Sequence, residues 1–115
     1  MNKDMYDKMV NKYDKMFRCY PECGPGWSKI ISDMCREIAK SRPPKDFYFT
    51  QVKQKFGALR AYCSFLTPEV DKIIDRYERM SMRICESCGD DGKLTKDNGW
   101  YMTLCDRCST LREER

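Results

Sequence analysis

Histidine is missing altogether from the 115 residues. Without an imidazole there is no His-based triad and no histidine general base. Paired carboxylate motifs are lacking as well, since the acids are scattered over amphipathic stretches. No Gly-rich loop follows a strand pattern, so Gly24-Pro25-Gly26 reads as a turn and not as a phosphate cradle. No run approaches the ~18 apolar residues of a membrane span. The charged start, Met1 to Met9, lacks the apolar core of a signal peptide. Cysteine, at eight residues, falls below the level that marks a disulfide scaffold. These absences point away from an enzyme, a membrane protein and a secreted disulfide domain, and towards a protein of the reducing cytoplasm.

What is present is a pair of cysteine motifs, Cys85-Glu86-Ser87-Cys88 and Cys105-Asp106-Arg107-Cys108, separated by sixteen residues. That spacing is the one expected of a four-thiolate zinc site. Each Cys-x2-Cys forms a tight turn with both sulfurs on one side, and two such turns complete a tetrahedron. Between them, Lys93-Leu94-Thr95 and Trp100 to Leu104 flank Asn98-Gly99, a strong hairpin signal because both turn residues tolerate positive φ. The expectation is a zinc ribbon over residues 85–115, ending in a short charged helix, with one structural Zn²⁺ on Cys85, Cys88, Cys105 and Cys108. The alternatives are two disulfides or unligated thiols. A ribbon of about thirty residues buries too little core to fold alone, so metal supplies much of its folding energy.

Residues 1–84 read as a helix–helix–hairpin–helix body, giving an α+β chain with a C-terminal ribbon. Over residues 2–20, Tyr6, Met9, Val10, Tyr13, Met16, Phe17 and Tyr20 form one apolar stripe at helical spacing. The stretch Cys19 to Gly26 breaks the pattern. Trp27 opens a second helix with Ile30, Ile31, Met34, Cys35 and Ile38 inward, and Pro43-Pro44 ends it. Phe47 to Leu66 reads as a hairpin turning near residues 54–57, with Leu59, Ala61, Cys63 and Phe65 on its core face. Thr67-Pro68-Glu69 starts a third helix, whose core positions are Val70, Ile73, Ile74, Tyr77 and Met80. Cys19, Cys23, Cys35 and Cys63 are irregularly spaced and read as packing residues, with a second metal site as the alternative.

Two surfaces are candidates for a partner. One is the Tyr6, Met9, Tyr13 and Met16 stripe, whose simpler role is core packing. The other is the hairpin end, where Lys53, Lys55 and Arg60 gather beside Phe56 and Tyr62 and could meet a protein or track a phosphate backbone. The last 31 residues carry five Lys/Arg against seven Asp/Glu, and four thiolates with Zn²⁺ lower the charge by two more. A ribbon that gripped phosphate itself would be basic, so a protein partner is expected ahead of nucleic acid.

Four stretches in order, Gly26-Trp27, Gln51 to Tyr62, Cys85 to Gly89 and Gly99 to Cys105, carry a likeness across most of residues 26–108. In these the chain resembles a family of small zinc-ribbon proteins found in bacteriophages and prophages. That family often has histidine as fourth ligand where this chain has Cys108; both bind zinc, so ligand charge changes while site competence is kept. The resemblance brings no established activity. It implies a viral accessory protein in the cytoplasm of a bacterial host. With the absence of catalytic groups and the mixed-charge surface, the expectation is a non-catalytic protein that binds and modulates a host protein such as a defence component. The alternative is a nucleic-acid-binding ribbon acting in transcription or replication.

Overall fold

The computed structural model describes residues 3–97 and 99–113. It is a mixed α+β chain, with helices α1 (Lys3–Lys12), α2 (Ser28–Lys40), α3 (Pro68–Ser81) and α4 (Asp106–Glu113). Two antiparallel hairpins form separate two-stranded sheets: β1 (Phe49–Lys55) with β2 (Ala58–Cys63), and β3 (Lys93–Asp97) with β4 (Trp100–Leu104).

The first helix is shorter than its apolar spacing suggests. It stops at Lys12, makes a 3₁₀ turn over Asp14–Met16, and runs on extended. The cause lies in the sheet. The amides of Arg18 and Glu22 donate to the carbonyls of Phe49 and Val52 at 3.2 and 2.8 Å, and Gln54 donates back to Glu22 at 3.3 Å. Residues 17–22 thereby satisfy the outer edge of β1, and an apolar spacing that suits a helix serves an extended segment equally well. Helix α3 covers the other edge: Ser81 Oγ accepts from the Leu59 amide at 2.9 Å and Glu78 Oε2 from the Ala61 amide at 3.0 Å. With both edges occupied, the sheet offers no free strand for pairing.

The core lies between α2, α3 and the inner face of the first sheet. Ile31, Met34, Ile38, Phe49, Val52 and Leu59 are fully buried there. Thr67 caps α3 by accepting from the Val70 amide at 3.2 Å, with Pro68 at the first helical position. Two expected core positions fall outside: Phe65 lies past the end of β2 and is 57% exposed, and Met80 is 40% exposed at the end of α3.

Glu37 on α2 ties the two helices by accepting from the Tyr77 hydroxyl and the Arg76 guanidinium. The Tyr77 hydrogen bond holds the Glu37 carboxyl below its ordinary range; partial burial opposes this, and Arg76 adds to the lowering. Burial and the Glu37 charge push the Tyr77 hydroxyl up to about 12. The carboxylate's contribution to stability is present above the unfolded pKa of about 4.3 and is lost as pH falls through the lower folded value. Tyr77→Phe is expected to cost about 1 kcal/mol in urea unfolding at neutral pH. Glu37→Gln is expected to flatten the acid limb of the stability curve. An acid limb unchanged in Glu37→Gln would remove the pair from the account of stability.

Candidate metal centre and its seat on the body

The four sulfurs of Cys85, Cys88, Cys105 and Cys108 all lie within 4.8 Å of one another. These are the four positions singled out by spacing, and among the described residues they are the one cluster that could hold a metal ion. Cys88 Sγ and Cys105 Sγ stand 3.7 Å apart. A disulfide needs about 2.05 Å, whereas a tetrahedron with metal–sulfur bonds of about 2.3 Å has an edge of about 3.8 Å. The spacing therefore suits a bound ion and not a bridge.

Local chain geometry creates the cluster. Cys85 leads into a turn closed by the Gly89 amide on the Cys85 carbonyl at 2.9 Å, with Gly89 at φ +90°, a conformation glycine adopts without strain. Cys105 immediately precedes α4, so Cys108 falls in that helix's first turn, where its amide donates to Cys105 Sγ at 3.4 Å. Between the turns β3 and β4 pair in register from Lys93 with Leu104 to Asp97 with Trp100. Gly99 has φ +85°, as a tight turn requires; the expected turn partner, Asn98, lies outside the described residues.

Four thiolates cannot share such a volume without a cation. Burial raises the Cys85 thiol, but amides of Cys105, Cys88 and Ser87 outweigh it and lower the group to about 7. The Cys88 thiol shifts up: the Asp90 amide lowers it, while burial and the neighbouring sulfurs raise it more. Arg107 contributes from outside, hydrogen-bonded first to Cys88 and also close to Cys108. Its guanidinium offsets part of the negative charge of an occupied site.

The first cysteine turn does not hang free; it is seated on the loop before α2. The Gly24 amide donates to Glu86 Oε2 at 2.8 Å, the Gly26 amide to the Glu86 carbonyl at 2.7 Å, and Trp27 Nε1 to the Ile84 carbonyl at 2.9 Å. Glu86 is buried inside the Cys-x2-Cys turn itself. A Cβ on Gly26 would lie 2.2 Å from the Cys85 carbonyl oxygen, and one on Gly24 2.5 Å from that of Glu86. Gly24-Pro25-Gly26-Trp27 is thus the cradle of the metal turn, not merely a break between helices. Spaced glycines ahead of a buried tryptophan are the one sequence signal that hints at so close an approach.

The part of the apolar stripe that lies on α1 belongs to this support. Tyr6 is fully buried and Met9 nearly so, while Tyr13 and Met16 are half-buried against the same core. The Tyr6 hydroxyl donates to the Gly24 carbonyl at 2.7 Å and lies 3.4 Å from Cys23 Sγ. Tyr6 and Met9 are therefore core residues and leave no surface for a partner seam, while Tyr13 and Met16 keep part of their surface open. Cys23 and Cys35 are buried, and burial pushes both thiols up to about 12, which keeps them protonated. Cys19 and Cys63, half-buried, are likewise raised by burial.

The hairpin end remains outside. Lys55 and Phe56 are exposed, Lys53 and Arg60 half so, and Arg60 lies 4.0 Å from Glu78. The ribbon joins it there. Gln54 Nε2 donates to the Tyr101 carbonyl at 3.0 Å and Thr103 Oγ1 to the Gly57 carbonyl at 2.7 Å, setting the turn beside Leu94 and Tyr101. When set against known proteins, the chain matches no family model, no curated protein and no solved structure.

Proposed function

We propose that this chain is a non-catalytic zinc-ribbon protein that acts by binding, through the hairpin end and the adjoining ribbon strands. Zinc is the ion we assign, because four cysteines at tetrahedral spacing match its preference and need no redox chemistry. Four thiolates fill its coordination, leaving no position for an activated water, and no histidine is available as a base. The observation that carries the binding role is exposed apolar surface. Phe56 is 72% exposed and Leu94 53%, on two hairpins that hydrogen bonds hold together. Large apolar side chains left exposed on joined, rigid elements are a usual mark of an interaction site.

The likeness to phage and prophage ribbons supports a setting in a bacterial cytoplasm, with a host macromolecule as partner. A modulated host protein, such as a defence component, is the reading that likeness favours. A nucleic-acid partner is the second reading, favoured by Lys55 beside the Phe56 ring and Lys96 beside the Tyr101 ring. A photocrosslinking amino acid at position 56, compared with one at exposed Arg36 on α2, tests the surface in host cells. Adducts are expected from position 56 and not from position 36, and their sensitivity to nuclease identifies the partner class. Adducts from both positions alike, or from neither, would overturn the assignment.

A further inference from the structure

We propose that the outward face of the β1–β2 hairpin binds single-stranded nucleic acid, its rings stacking on bases while its cations meet the phosphates. The inference rests on the reading of this hairpin end as the contact surface and takes the second of its two partner classes, on the cations and rings found there. Because Val52, Leu59 and Ala61 are buried, the pleat turns the alternate positions outward. These are Gln51, Lys53 and Lys55 on β1, with Arg60 and Tyr62 on β2; Ala58 shares their face but is buried. No acid stands among them; Glu22 and Glu78 lie along the two edges of the sheet.

Two features of this face are locally unfavourable and need a reason. Lys53 and Arg60 are directly opposite across the strands, a like-charge pairing that opposes hairpin formation and that Glu78, 4.0 Å from Arg60, offsets on one side only. Phe56 occupies the first turn position at φ +53°, where asparagine or glycine is strongly preferred, and still presents its ring to solvent. An anion between the two strands relieves the first. A base on the ring gives the second a use. Lys55 Nζ lies 5.8 Å from the Phe56 ring, and beyond the turn Lys96 Nζ lies 5.5 Å from the Tyr101 ring, so cation and ring alternate along one path.

The ribbon's negative charge does not oppose this path at its centre. Asp90 and Asp91 follow the first cysteine turn and Asp106 the second, at the base of the ribbon hairpin, where Asp106 also meets Lys93 at 3.6 Å. Lys96 and Tyr101 pair at its far end, one step before Asp97 and Trp100. A single strand is favoured over a duplex because stacking needs base faces that a duplex keeps to itself.

Fluorescence anisotropy with labelled oligo-dT and oligo-rU of about fifteen nucleotides, and with the matching duplex, tests the proposal across a potassium chloride series. Micromolar binding of a single strand at about 0.1 M salt is expected, with duplex weaker. The log–log salt slope is expected near −2, about −0.7 for each of roughly three phosphates. Comparing dT with rU decides whether DNA or RNA is preferred. Lys53→Glu with Lys55→Glu is expected to weaken binding at least tenfold and flatten the slope; Arg60 stays because of its contact with Glu78. Tyr62→Ala is expected to weaken it about tenfold at unchanged slope.

Phe56→Asn separates binding from folding. It creates an Asn-Gly turn, so the melting temperature is expected to rise by about 4 °C while oligonucleotide affinity falls. No binding of either strand at about 50 mM salt would overturn the proposal. So would a duplex bound as tightly as the strands, or displacement by polyglutamate with Phe56→Asn and Tyr62→Ala silent, which marks a site for an acidic protein. If oligonucleotides fail while nuclease-resistant adducts still form from position 56, the contact surface stands and its partner is a protein.

Discussion

Stripping the metal with a chelator is expected to unfold residues 85–113 and to loosen the loop before α2 with them. Elemental analysis of the purified protein is expected to find one zinc per chain before treatment. Structural zinc in small ribbons carries an apparent binding free energy of about 10–16 kcal/mol, as large as the whole stability of a typical domain. The ribbon has little core of its own: β3 and β4 pair only with each other, and Leu94, Trp100 and Leu111 are largely exposed, so its hydrogen bonds to the body depend on the metal to keep both cysteine turns in shape. The body differs, because α2 and α3 pack Ile31, Ile38, Ile73 and Tyr77 against each other and against β2 without help from the ribbon. Helicity is therefore expected to survive in large part, with the ribbon lost first.

The loop at Gly24–Trp27 reports the connection between the two. Trp27 is fully buried and donates to the Ile84 carbonyl, while the second tryptophan, Trp100, is 72% exposed. In a Trp100→Phe background, chelation is expected to shift the Trp27 emission to the red and to expose its ring to quenchers. Cys88→Ser is expected to give the same signature without a chelator. A Trp27 signal that stays blue while zinc is released would show that the cysteine turn leaves its seat without consequence for the body.

The parts legible in the sequence are those fixed by neighbours in the chain. Cys-x2-Cys sets two sulfurs on one turn whatever lies around it, so Cys85, Cys88, Cys105 and Cys108 could be assigned from spacing alone. Thr67-Pro68 caps a helix through its own next turn, and α3 begins there as expected. Alternation marked the first hairpin because a pleated strand has a period of two, and Asn-Gly between two strand-like runs marked the second. The parts that were not legible depend on distant partners. Tyr13, Met16, Phe17 and Tyr20 keep a helical spacing, yet the carbonyls of Phe49 and Val52, some thirty residues on, draw residues 17–22 out of the helix. Nothing beside Glu86 in the chain announces that its carboxylate accepts from the Gly24 amide, 62 residues away in sequence.

That distance also locates the most damaging small substitution expected in the chain. Gly26→Ala would place a methyl group 2.2 Å from the carbonyl oxygen of Cys85 and 2.6 Å from that of Glu86. Both obstacles are backbone, so no side chain can swing aside, and both belong to the turn that carries a metal ligand. Either α2 moves away from the ribbon or the cysteine turn opens. In each case the 2.7 Å hydrogen bond from the Gly26 amide to Glu86 is lost along with the packing of Trp27 beside it. Overpacking of this kind costs about 1–3 kcal/mol, and the lost hydrogen bond adds about 1 kcal/mol, so about 3 kcal/mol is expected in urea unfolding. Zinc affinity, measured by competition with a chromophoric chelator, is expected to fall in parallel. Gly99→Ala is the control: its φ of +85° strains an alanine, but nothing lies within 4 Å of the added methyl group. Its cost is expected near 1 kcal/mol, with zinc affinity little changed. Equal losses in the two variants would mean that backbone strain, and not the contact with the cysteine turn, makes Gly26 necessary. A Gly26→Ala protein of full stability and full zinc affinity would remove the loop as the seat of the metal turn.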